Sequence, residues 1–144
     1  NFTIPTSVEH IGKNAFSSTA FYYDKSNWNG DVLYKDNCLI EVNNKIKGKY
    51  TIINGTRLIS QGAFMSCTNL VSISIPNSIT TIESNTFKYC YKLSKVNIPN
   101  SVVRVEREAF YNCSNLKSID IPNGVKYIGE GAFSYCSSLT TQNL

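Results

Sequence analysis

Apolar residues in this chain recur every 23 positions, a period far longer than that of a strand or a helix. Phe64, Phe87, Phe110 and Phe133 form one such series, Cys67, Cys90, Cys113 and Cys136 a second, and Leu70, Leu93, Leu116 and Leu139 a third. Ile73, Val96 and Ile119 follow, then Ile75, Ile98 and Ile121, each immediately before Pro76, Pro99 or Pro122. Ile79, Val102 and Val125 come next, and Ile82, Val105 and Ile128 complete the unit L-x-x-I-x-I-P-N-x-V-x-x-I-x-x-x-A-F-x-x-C-x-x. The L-x-x-I-x-I stretch alternates and is rich in β-branched residues, which predicts a strand with its Ile side chains inward. Proline lacks a ladder donor and ends it. The V-x-x-I-x-x-x-A-F stretch predicts a second short extended segment and a turn on the opposite side. One unit cannot bury its apolar set alone, so the units stack around a continuous core. The pattern specifies a repeat solenoid, made mainly of short parallel β-strands.

"IPTSVEHIGKNAF" places Ile4, Val8, Ile11, Ala15 and Phe16 in the same register, with Thr19 at the cysteine position. Phe16 and Phe64 lie 48 apart, one period plus 25 residues, so residues 22–46 form an insertion. Within it "VLY" and "CLIEV" flank "KDN", which predicts a β-hairpin with a short turn. The coils are then about 1–21, 47–69, 70–92, 93–115 and 116–138, with a truncated coil at 139–144. Coil 47–69 uses Tyr50 and Ile52 as its strand and lacks both the leading Leu and the Pro. Gln142 stands where an Ile is expected.

In a solenoid, equivalent positions line up along the axis at about 4.8 Å. Four thiols in a row cannot converge on a tetrahedral zinc, and no C-x-x-C motif is present. Neighbouring thiols would be close enough for a disulfide but would point in parallel. The plainest role is that of small buried hydrophobes. The fifth thiol, Cys38, is off the row and is expected to be the exposed one.

"IPNSITTIESNTFKYC", "IPNSVVRVEREAFYNC" and "IPNGVKYIGEGAFSYC" closely resemble the BspA-like leucine-rich repeats, which occur in surface proteins of bacteria and parasitic protozoa. The resemblance extends over essentially the whole chain, the insertion included. It implies a leucine-rich-repeat right-handed superhelix and a role in adhesion or ligand binding at an extracellular or cell-surface location. The partner would be a protein or glycan, for instance of a host or an extracellular matrix. No catalytic residue and no cofactor is implied.

Composition adds little to this. A formal net charge of +4 over 144 residues permits an anionic partner without demanding one. No apolar run is long enough to cross a bilayer. His10 is the only histidine and has no partner nearby in sequence, so a histidine-based triad is not supported. Glu106 and Glu108 beside Arg104 and Arg107 read as a solvated charged face. Lys45, Lys47 and Lys49 alternate, which puts them on one face of a strand. Such a stripe is more often edge-protecting than a nucleic-acid site. Three N-x-[ST] triplets begin at Asn1, Asn54 and Asn112. With 17 Asn and 28 Ser or Thr, about three are expected by chance, so they decide nothing.

The outward strand positions (Val71, Ser72 and Ser74; Ser94, Lys95 and Asn97; Lys117, Ser118 and Asp120) are small or polar, unlike the aromatic and Arg anchors of interfaces. Aromatics concentrate elsewhere. Tyr89, Tyr111 and Tyr135 flank the cysteine turns and, at the strand spacing, would make one continuous patch. Tyr22 and Tyr23 in the insertion are a second candidate surface, while Trp28 and Tyr34 are expected to pack the insertion down. The leading expectation is a non-catalytic interaction module that uses these tyrosines. The alternative is an architectural spacer in a long repeat array. Neither end carries a polar capping unit, so the chain reads as part of such an array.

Overall fold

The computed structural model describes residues 1–140. The Gln142 position and most of the truncated coil lie outside the described residues. A one-turn helix, α1 (Ala20–Tyr23), leads through a 3-10 turn into β1 (Trp28–Asn29), β2 (Val32–Lys35) and β3 (Cys38–Val42). The repeats then give β4 (Lys47–Thr51), β5 (Leu58–Ile59), β6 (Asn69–Ser74), β7 (Thr81–Ile82), β8 (Lys95–Asn97), β9 (Arg104–Val105) and β10 (Tyr127–Ile128). The chain is a parallel-strand solenoid.

One ladder is the parallel sheet β4-β6-β8, which aligns Tyr50, Ile73 and Val96. These are the inward positions expected from the alternating pattern. A second parallel ladder, β7-β9-β10, aligns Ile82, Val105 and Ile128. Between strands, the amide after each repeat proline closes a turn: Ile79, Val102 and Val125 each donate to the proline carbonyl three residues back, at 3.1 Å. Residues 116–121 form no strand, contrary to the repeat pattern. Ile121 is more than a third exposed, and no described strand follows on the far side to complete its ladder.

The phenylalanine turns form a third set of rungs. Gly62, Phe64 and Ser66 donate their amides to the carbonyls of Ser84, Thr86 and Lys88 in the next coil, at 2.8–2.9 Å. Asn85, Phe87 and Tyr89 repeat this toward Arg107, Ala109 and Tyr111, and Glu108, Phe110 and Asn112 toward Glu130, Ala132 and Ser134. The amides in between close local turns, as Ala63 to Ser60 and Met65 to Gly62 do. This backbone needs left-handed residues two positions before and two after each Phe. Gly62, Asn85, Glu108 and Gly131 supply the first, and Ser66, Tyr89, Asn112 and Tyr135 the second.

Phe64, Phe87, Phe110 and Phe133 stack at successive centroid distances of 5.2, 5.1 and 5.2 Å. The first three are fully buried. Tyr50 meets the start of the stack at 6.2 Å. Phe16 does not join it. It belongs to a smaller core with Phe2, Phe21, Ile4, Ile11, Leu33 and Ile40.

The insertion accounts for that separation. The Lys35–Cys38 turn carries positive φ at both Asp36 and Asn37, the backbone that a two-residue hairpin requires. β3 then runs parallel to β5, pairing Cys38 with Leu58 and Leu39 with Ile59. It takes the edge of β5 that residues 8–11 would occupy by strict repeat register, and Ile11 instead accepts the amide of Gln61. Leu39, Val42 and Ile46 enter the main core. Cys38, expected to be exposed, is fully buried by this docking.

Candidate binding surface

All five thiols are free and buried. Cys90, Cys113 and Cys136 each direct Sγ at the carbonyl oxygen of the Phe one coil back, namely Phe64, Phe87 and Phe110, at 3.1 Å in every case. The row therefore links successive coils through weak S–H donors as well as filling space. Burial pushes the Cys67 thiol up to about 12 and that of Cys90 higher still. Thr19 serves differently where it replaces the cysteine. Its hydroxyl donates to Phe16 O at 2.7 Å and accepts the amide of Tyr22, capping α1 where the chain leaves the repeat.

The left-handed position after each Phe aims its side chain along the turn edge. Tyr89 and Tyr135 occupy it with φ of 65° and 61°, a conformation that Asn112 adopts more easily in the coil between them. Tyr111, one position earlier in its coil, bridges them. Its ring centroid is 5.9 Å from that of Tyr89 and 5.2 Å from that of Tyr135, both edge to face. Tyr91 adds to the row at 6.1 Å from Tyr89. The geometry brings all three tyrosines of the expected edge together. Tyr135 is 68% exposed, and Tyr89 and Tyr111 are half-buried.

Lys88 ties this row together, a contribution that a scan for aromatic residues does not reveal. Its ammonium lies 5.2 Å from the Tyr89 ring centroid and 4.8 Å from that of Tyr111. It donates to Glu108 at 2.6 Å, and this hydrogen bond raises the Lys88 pKa and lowers that of Glu108. A cation over two ring faces, anchored by a carboxylate, fixes the rings in place.

The second candidate surface divides. Tyr23 is 64% exposed, but Tyr22 is half-buried against Trp28 at 5.6 Å, because the Trp28 indole N–H donates to Tyr22 O at 2.8 Å. Tyr34 packs against the main core, and its hydroxyl meets that of Tyr50 at 2.6 Å. Trp28 and Tyr34 thus hold the insertion in place. Lys47 and Lys49 are exposed on β4, an outer strand of its sheet, and Lys45 lies just before it.

His10 has no partner near it in sequence but finds one far along the chain. Its Nδ1 lies 3.0 and 3.2 Å from the two carboxylate oxygens of Glu83, 73 residues away. Arg104 and Glu106 pair at 2.7 Å and Arg107 reaches Glu130 at 3.4 Å, but the expected solvated face is exposed only on its arginine side, since the Glu106 and Glu108 side chains are 18% and 20% exposed and Glu108 turns to Lys88.

The model of the BspA-type leucine-rich repeat region matches residues 42–144 in six copies. Among solved structures, a leucine-rich cell surface protein of Faecalibacterium prausnitzii is 38% identical over 62% of this chain, with a TM-score of 0.59. A leucine-rich repeat protein of Bacteroides ovatus is 30% identical over 76% of it, with a TM-score of 0.62. One from Bacteroides capillosus, 23% identical over 79% of the chain and 94% of its own length, has a TM-score of 0.67 and shares the fold. The chain spans only 24% and 30% of the first two proteins. No curated protein matches it. Repeat unit, solenoid architecture and sequence match agree, and the chain belongs to the family of BspA-type leucine-rich repeat regions.

Proposed function

We propose that this chain is a non-catalytic interaction module that binds a protein or glycan ligand at a cell surface through its tyrosine edge. The observation that carries the reading is the pair Tyr89 and Tyr135. Both hold a left-handed backbone conformation that disfavours bulky side chains, while the coil between them uses Asn112. Strain of this kind persists where the side chain has work outside the fold. Tyrosine is also among the residues on which interface energy concentrates, and a row pinned by Lys88 loses little freedom when a partner docks. The kinship with a bacterial cell surface protein supports the location.

The test replaces Tyr89, Tyr111 and Tyr135 by Ser together, and Tyr22 and Tyr23 by Ser separately, and measures attachment to host cells and matrix proteins. The edge variant is expected to lose binding with its fold intact. Binding unchanged in both variants but abolished by substitution of Ser72, Lys95 and Ser118 would move the site to the strand face. No binding by the parent chain would favour the architectural spacer.

A further inference from the structure

A cavity of about 700 Å³ opens beside β5, β7 and β9 and shares no residue with the tyrosine row. Its size is that of a small-molecule site. Part of its lining is a carboxylate with only 3% of Glu83 exposed, facing the imidazole of His10 at 3.0 Å. The N-terminal wall is rigid, because the Arg57 guanidinium donates to the carbonyls of Ile4, Pro5 and Val8 at 3.0–3.2 Å. Across from it Arg104 is held twice, by Glu106 at 2.7 Å and over the Tyr127 ring at 4.2 Å.

The charges of this lining are mixed: Arg57 and Arg104 stand against Glu9, Glu83 and Glu106, so no large excess of one sign favours a strongly ionic ligand. Between the charges lie the hydroxyl-bearing side chains of Thr80, Thr81 and Ser84 and the amide of Gln61, with Leu58 and Val8 as apolar ground. Carboxylates accept from hydroxyl groups, guanidinium and amide groups donate to them, and an apolar patch supports a C–H face. That combination suits a ring that carries hydroxyls on its edge and C–H bonds on its face.

We propose that this cavity is a binding site for a neutral saccharide, separate from the tyrosine edge. Glu83 and Glu106 accept from ring hydroxyls, Gln61 donates, and Leu58 and Val8 support the ring.

His10 is the only histidine, so its ring Hε1 proton gives a single NMR signal inside the cavity. Maltotriose, cellotriose, chitotriose and mannotriose are titrated separately into the full chain at millimolar concentrations. At least one is expected to shift the His10 signal saturably, and Gln61→Ala and Glu83→Gln to weaken that effect about tenfold, the size of one lost charge-assisted hydrogen bond. Tyr135→Ser should leave it unchanged. Circular dichroism checks the fold of each variant, and Gln61→Ala decides alone if Glu83→Gln unfolds. The proposal is overturned if no trisaccharide shifts the signal, if inorganic phosphate or a sulfated oligosaccharide does so instead, or if folded cavity variants respond like the parent. None of these outcomes bears on the tyrosine edge.

Discussion

The thiol of Cys113 meets the carbonyl oxygen of Phe87 across 3.1 Å, and Cys90 and Cys136 do the same, each bonding not within its own turn but to the turn before it. Buried this way, with Cys67 at about 12 and Cys90 higher, these two thiols hold almost no thiolate at neutral pH. Cys38 is equally buried. Thiol titration of the native chain is expected to detect none of the five groups, and denaturation to release all of them. Rapid native reaction of any row cysteine would contradict the ladder.

Phe110 is fully enclosed between Phe87 and Phe133, whereas Phe16 is half-buried in the smaller core. Phe110→Ala should cost about 3–5 kcal/mol and Phe16→Ala clearly less. Denaturant melts of the two variants compare them directly, and equal losses would argue against nearest-neighbour stacking.

Tyr135 carries a strained backbone on a mostly exposed side chain. Tyr135→Asn should relieve about 1 kcal/mol of left-handed strain, offset in part by the lost contact with Tyr111. Thermal stability is expected to equal or exceed that of the parent, while ligand binding falls. A variant that is both less stable and fully active would separate the strain from function in the wrong direction.

A Cβ added at Gly129 would lie 2.5 Å from the Arg107 nitrogen and 2.7 Å from the Glu106 carbonyl carbon. Both are backbone atoms, so the coils would have to part, and Gly129→Ala should cost about 1–3 kcal/mol. At Gly124 the nearest atom would be at 3.5 Å, an ordinary contact, so Gly124→Ala serves as the control. Similar melting points for the two would refute the close approach.

Burial raises the Glu83 carboxyl above its ordinary value of 4.5, the hydrogen bond from His10 and the charge of Arg104 pulling it partly back and that of Glu106 adding to the rise. A carboxyl raised in the folded state is no burden below the unfolded value. As pH climbs through the folded value, the folded chain must ionise a buried group and loses stability. Glu83→Gln should therefore gain on the parent between about pH 4.5 and neutrality, as read from urea midpoints at several pH values. A difference that shrinks over that window would reverse the sign.

The solenoid and the period of its coils were legible because a 23-residue repeat leaves a mark at eight or more positions per unit, and the hairpin because two apolar runs flank a short turn. The contiguity of Tyr89, Tyr111 and Tyr135 followed from the same period, since sequence spacing becomes spatial adjacency in a stack. What broke the period was not legible. The docking of β3 onto β5 buries Cys38, and no local pattern states which edge a hairpin will choose. The approach of His10 to Glu83 joins residues 73 apart in sequence, which no local pattern announces either. Three of the left-handed sites were hidden for a different reason: Tyr89, Glu108 and Tyr135 stand where other coils carry Asn or Gly.

The backbone hydrogen bonds that join one phenylalanine turn to the next all run one way, amide from the earlier coil and carbonyl from the later. Every internal junction is therefore chemically interchangeable with every other. Removal of residues 93–115 would bring the amide of Phe87 to the carbonyl of Ala132 in place of Ala109, with the same donor and the same acceptor. A cut of 22 or 24 residues would instead set left-handed sites against turns that cannot receive them. Such a molecule lengthens or shortens in whole coils, so the row of side chains along an edge can be extended by copying one coil without redesigning the rest.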